Sequence, residues 1–162
     1  MHQLLKDGLV VDDIWTLADD SIESLPATGN LLLSSSQWHR FSSQLDQRQD
    51  ETGIWLEGNE EIADIVESII KLPIIAIKFP KFVDGRGFSL ARLLRERYHF
   101  SGELRAIGDI IRDQLYLLKH SGFNAFQLSQ DIDLQQAAQS LNDFSENYQT
   151  TNAQPIPLFR RR

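Results

Sequence analysis

The sequence predicts an α/β fold of about five βα units, with a mainly parallel sheet and an N-terminal β extension. Two observations carry this. Short apolar runs alternate along the chain with longer segments of helical periodicity, the pattern of strands joined by crossover helices. Helices of that length between successive strands imply right-handed crossovers, and hence a parallel sheet. The same pattern fits an open doubly wound sheet and a partial barrel.

Taken in order, residues 8–17 read as a short strand or hairpin arm. Pro26 and Gly29 punctuate a loop over 19–30. The apolar runs that follow are Leu31–Leu33, Ile54–Leu56, Ile74–Phe79, Leu104–Ile107 and Phe123–Leu128. Helices are predicted at 36–47, 60–71, 88–98, 109–120 and 132–148. The domain spans 1–149, with residues 1–30 as its N-terminal extension. Residues 150–162, with Pro155, Pro157 and a terminal Arg160-Arg161-Arg162, read as an extended, solvated tail.

Composition narrows the function classes. A chain of 162 residues can bury a real core. A net charge of −7 argues against general nucleic-acid binding, which needs a basic footprint. There is no cysteine, hence no disulfide, thiolate metal site, cysteine-ligated cluster or catalytic thiol. The four histidines, His2, His39, His99 and His120, have no metal-site spacing. No flavin, nicotinamide or iron–sulfur motif stands in the chain, so no cofactor is recognisable. The start of the chain lacks a signal-peptide core, and no apolar run reaches the length of a membrane span. A cytoplasmic location without membrane or nucleic-acid partners is expected.

Several residues break the pattern of the elements that carry them. In 60–71, Ile62, Ile65, Val66, Ile69 and Ile70 share one face, as in an ordinary core helix. In 88–98, Arg97 falls near the middle of the arc formed by Leu90, Leu93, Leu94 and Tyr98. It is expected either to cap carbonyls in the last turn or to form a buried pair with Glu103. In 109–120, Gln114 lies inside the apolar arc and Asp113 borders it, so Gln114 must find hydrogen bonds. Lys78 and Arg105 interrupt their apolar runs, and Gln127 comes late in its own. These are either water-facing strand ends or a ligand site.

Asp84-Gly85-Arg86-Gly87-Phe88-Ser89 follows a strand and opens a helix. Glycines there let backbone approach an anion, and Arg86 is able to hold an oxyanion or a carboxylate. The pattern is neither a dinucleotide fingerprint nor a Walker loop. Ser89 reads as an N-cap. Candidate ligand- or partner-binding residues are therefore Lys78, Asp84, Arg86, Arg97, Arg105, Asp109, Asp113 and Gln114. A basic patch of Lys78, Arg86 and Arg105 would take a small oxyanion, or an acidic surface of a redox partner. Asp84 or Asp109 would serve as acid or base if the chain is an enzyme. If it is a structural subunit, the same groups only knit the domain together.

The stretches from Phe79 to Tyr98, from Gly102 to Leu115 and from Gly122 to Phe126 are similar to a bacterial domain-of-unknown-function family. Its members are commonly encoded beside the hemoprotein subunit of sulfite reductase, and some are described as oxidoreductases of sulfite reduction. The resemblance runs from Val10 to Tyr148 and is densest over 79–126. It implies an accessory role in assimilatory sulfite reduction, with the sulfite reductase hemoprotein as partner. It supplies no catalytic residues. Many members carry a cysteine before the glycine matching Gly122, where this chain has Ser121. A thiol mechanism at that position is therefore not available here.

Overall fold

The computed structural model describes residues 2–80 and 85–143, and side chains to residue 142. Strands β1 (Gln3–Lys6) and β2 (Leu9–Asp12) form a hairpin. Its two-residue turn is Asp7-Gly8, both at positive φ (53° and 80°), the geometry that follows the twist of the flanking strands. The remaining strands are β3 (Trp15–Leu17), β4 (Asn30–Leu33), β5 (Thr52–Glu57), β6 (Ile74–Phe79), β7 (Glu103–Gly108) and β8 (Ala125–Phe126). The helices are α1 (Ser35–Arg40), α2 (Val66–Ile69), α3 (Gly85–Arg92), α4 (Leu115–Ser121) and α5 (Leu134–Asp143).

All eight strands join one sheet in the order β2-β1-β8-β7-β6-β5-β4-β3. From β3 to β8 they are parallel and consecutive, so the order never reverses, as it does in a doubly wound sheet. The sheet curls into a half-barrel. β2 and β3 stand at opposite ends of it, yet only Asp13 and Ile14 separate them in the chain. Three peptide steps reach at most about 11 Å, so the two ends must come together.

The curl gives the sheet two unlike faces. Outer-face residues such as Leu33, Ile54, Leu56, Ile75, Ile77, Leu104 and Ala106 pack with buried residues of every helix into one core. The inner face carries a smaller cluster of Leu32, Ile74, Ala76 and Ile107, edged by Trp15 and Trp55. Parity along the strands then places Lys78, Glu103 and Arg105 on the inner face as well.

An α/β class with a mainly parallel sheet is what the alternating pattern predicts. The elements are less regular than a strict βα repeat. The helix expected over 60–71 is α-helical only at Val66–Ile69, preceded by turns, although Ile62, Ile65, Val66 and Ile69 are buried as the wheel requires. The segment 36–47 is α1 followed by a 3-10 stretch at Ser42–Gln47. The segment 109–120 opens with a 3-10 turn at Arg112–Gln114 and becomes α-helical at Leu115. The run 123–128 pairs only at Ala125 and Phe126. Gln3–Lys6, unmarked in the sequence reading, is the strand that joins the hairpin to β8. The end of the helix predicted over 132–148 and the tail 150–162 lie outside the described residues.

Candidate functional site

The inner face holds a buried ion network. Arg105, with 2 % of its side chain exposed, donates from Nε to Glu103 Oε1 at 2.8 Å and from Nη1 to Asp13 Oδ1 at 2.9 Å. Glu103 also meets Lys6 Nζ at 3.2 Å. A buried guanidinium costs several kcal/mol unless its charge and its donors are matched. Here two carboxylates match it, and Lys6 neutralises the second. Asp13 belongs to the two-residue bridge between β2 and β3, so its pairing with Arg105 of β7 crosses the interior of the curled sheet.

That corrects the expected patch of Lys78, Arg86 and Arg105. Arg105 is committed to the interior and is not presented to a ligand. The other two do meet, at a cleft of about 230 Å³ at the carboxyl ends of β5 and β6. Glu57, Gly58, Asn59, Lys78, Phe79, Pro80, Arg86 and Gly87 line it. Two glycines make the cleft possible. A Cβ on Gly58 would sit 2.7 Å from the Gly87 nitrogen, and a Cβ on Gly87 would sit 2.6 Å from the Phe79 ring. Any side chain at either position would push the first turn of α3 off the strand ends.

Lys78 ends the inner face of β6. Its ammonium lies 5.3 Å from the Trp55 ring, an attraction to the negative face of the indole. Glu57 is its register partner on the neighbouring strand, and both side chains are exposed. No ion pair joins them. Glu57 uses its backbone instead, donating to Glu60 Oε2 at 2.6 Å, while Glu60 Oε1 accepts from the Ser35 hydroxyl. The loop after β5 is thereby fixed against α1.

The other candidates scatter. Arg97 is exposed and sits beside Tyr98, and it neither caps a carbonyl as a described donor nor pairs with Glu103. The cause is a π turn at Leu93–Arg97, closed by Tyr98 N to Leu93 O at 3.2 Å. One extra residue in that turn rotates Arg97 out of the arc that a regular 100° step predicts. The arginine of this helix that turns inward is the half-buried Arg95. It donates to the carbonyls of Gly122, Phe100 and Gly102 at 2.9, 2.7 and 2.9 Å. Burial lowers its pKa, partly offset by the charge of Asp7.

Gln114 is structural: its Oε1 accepts from Ile111 N at 3.3 Å, and so closes the start of the 3-10 turn. Asp113 is exposed beside Arg112 and Tyr116, in a separate depression between α4 and α5. Asp109 is exposed after β7 and donates its N–H to Phe79 O at 3.2 Å, without lining the cleft. Asp84 lies outside the described residues. Ser89 is not an N-cap, because α3 already begins at Gly85; its hydroxyl donates back to Gly85 O at 3.3 Å. Ser121 is fully buried and donates to Leu117 O at 2.9 Å, a packing position at the end of α4.

The sequence reading missed Glu57, Asn59 and Gly58. A Glu-Gly-Asn triplet directly after an apolar run was the signal available for them. It also missed Asp13 and Lys6, whose partner lies about ninety positions away, and no local pattern announces such a pairing. Among the described residues there is no group of three His, Asp or Glu able to hold a metal, and no helix long and apolar enough to cross a membrane.

Residues 53–159 match the family described as bacterial protein of unknown function (DUF934). No curated protein and no solved structure matches the chain. The match spans about two-thirds of the sequence, and the chain belongs to this family.

Proposed function

We propose that this protein is a cytoplasmic accessory factor of assimilatory sulfite reduction, which supports the sulfite reductase hemoprotein and holds an oxyanion group at the Lys78–Arg86 cleft. One observation carries the binding part. Two cations from separate elements, the end of β6 and the first turn of α3, line a single cleft whose backbone walls are glycine. A site at the carboxyl ends of parallel strands, beside a helix start, suits an anion on both electrostatic and steric grounds. The pathway rests on the resemblance of residues 79–126 to proteins encoded beside sulfite reductase.

A deletion strain tests the pathway on sulfate, sulfite and sulfide as sole sulfur sources. Growth is expected to fail on sulfate and on sulfite and to return on sulfide. A gene carrying Lys78→Ala and Arg86→Ala is expected not to restore growth. Normal growth of the deletion strain on all three, with no second copy of the gene present, sinks the assignment. In the rival reading, an enzyme that binds its anion with Arg86 and Arg105 and uses Asp109 or Asp84 as acid or base, Arg86 keeps its place at the cleft, while Arg105 is paired inside the sheet, Asp109 does not line the cleft and Asp84 lies outside the described residues.

A further inference from the structure

The cleft carries both signs of charge, and Glu57 and Lys78 do not pair with each other. Glu57 and Lys78 are directly opposed on neighbouring parallel strands, which lie about 5 Å apart. Here the ammonium is drawn over the Trp55 ring, and the Glu57 carboxylate makes no ion pair with any described residue. Arg86 adds a second cation on the α3 side, and Asn59 adds an amide on the β5 side. The cleft thus has an anion-accepting wall and, one strand away, a cation-accepting one.

Size points the same way. A volume of about 230 Å³ is several times the roughly 30 Å³ share of one water in the liquid. It falls just short of the roughly 300 Å³ at which clefts for drug-sized ligands begin. A bare oxyanion held by Lys78 and Arg86 would fill a fraction of this space and would leave the Glu57 carboxylate without a counter-charge from the ligand.

We propose that the cleft takes a small organic zwitterion, with a tetrahedral oxyanion (sulfonate or phosphate) between Lys78 and Arg86 and an ammonium group on Glu57. Such a molecule satisfies both walls at once, at a spacing of two or three bonds between its charged groups. The inference rests on the anion-binding reading above and adds the role of Glu57. Lys78 and Arg86 supply binding to any oxyanion, and Glu57 supplies the choice among them.

The test is calorimetric titration of the full chain with 2-aminoethanesulfonate, with ethanesulfonate and with sulfite, repeated on Glu57→Gln and on the Lys78→Ala, Arg86→Ala double variant. The aminosulfonate is expected to bind about tenfold or more tightly than ethanesulfonate, the size of one charge-assisted hydrogen bond. Glu57→Gln is expected to erase that preference and leave ethanesulfonate binding intact. The double variant is expected to lose all three ligands. Equal binding of aminosulfonate and ethanesulfonate, or an unchanged preference in Glu57→Gln, overturns the zwitterion and leaves the oxyanion site standing. Tighter binding of sulfite than of either organic anion does the same. No binding of any of the three to the parent chain overturns both readings. Circular dichroism of each variant verifies that it is folded.

Discussion

Replacing Arg105 by Met decides whether the buried network is part of the fold or part of a site. The change removes one cation and leaves the Asp13 carboxylate inside the curled sheet without a counter-charge, accepting from the Trp15 N–H, while Glu103 keeps Lys6. Removing one member of a buried pair costs about 3–5 kcal/mol, because the remaining charge stays desolvated. For a chain of this size that lowers Tm by roughly 6–20 °C, at about 2–4 °C per kcal/mol. Urea unfolding followed by circular dichroism measures the loss. Hydrogen exchange adds a local readout: amides in residues 9–17 are expected to lose protection before those of β5 and β6, since Asp13 ties that bridge down. Adding Asp13→Leu and Glu103→Met to the variant removes the orphaned Asp13 carboxylate and the other carboxylate of the network, and Lys6 is exposed enough to turn to water. Most of the lost stability is then expected to return. A loss below about 1 kcal/mol in the single variant refutes the structural role. A gain in stability would point instead to a functional arginine held at a cost.

Three further outcomes follow from the same geometry. Arg95→Lys is expected to destabilise by roughly 2–4 kcal/mol, because an ammonium cannot serve three carbonyls that a guanidinium fork reaches together; urea unfolding measures it. Gly108→Ala is expected to cost more than about 2 kcal/mol, since φ is +96° and a Cβ would fall 2.2 Å from Phe79 O; a soluble variant with parental Tm would refute the close approach. His120 is held below its ordinary pKa of 6.5, first by burial and then by Lys119, so the folded state binds its proton less readily than the unfolded chain. Its contribution is therefore present above pH 6.5 and lost as pH falls through the depressed folded value. His120→Gln is expected to flatten stability against pH in that window, as followed by thermal melts.

The parts of the fold that depend on local pattern were legible. β6 spans Ile74–Phe79 as its apolar run indicates, and the buried face of 60–71 is the face the wheel assigns, although little of the segment is α-helical. Burial follows the spacing of apolar residues even where backbone hydrogen bonding is irregular. The misreadings came from elements that leave the regular step. The π turn at Leu93–Arg97 exchanges the roles of Arg95 and Arg97, and nothing in Leu-Leu-Arg-Glu-Arg signals a wider turn. The 3-10 turn at Arg112–Gln114 similarly moves Gln114 from an apolar arc to an N-terminal closure. Of the candidate site, Lys78 and Arg86 were legible as polar residues at a strand end and a helix start. Glu57 was marked only by the Glu-Gly-Asn turn it opens, and its place beside Lys78 was not legible, because that register is a property of pairing between segments about twenty residues apart.

The distribution of charge in this fold separates two tasks that the sequence presents together. Lys78 and Arg105 both interrupt apolar strands and both face the inside of the curl, so a linear reading gives them one role. Depth distinguishes them. Arg105 is opposite Ala76, in the packed layer below the rim, where a charge persists only with carboxylates in contact, and Glu103 and Asp13 provide them. Lys78 is two residues further, at the rim, where water solvates the ammonium and an aromatic face suffices to orient it. Below the rim, therefore, charge is consumed in closing the sheet across Asp13. At the rim, charge is held in place and left uncompensated by the strand beside it. The residues to test for recognition are therefore Glu57, Lys78 and Arg86 and not the arginine that the sequence makes most conspicuous.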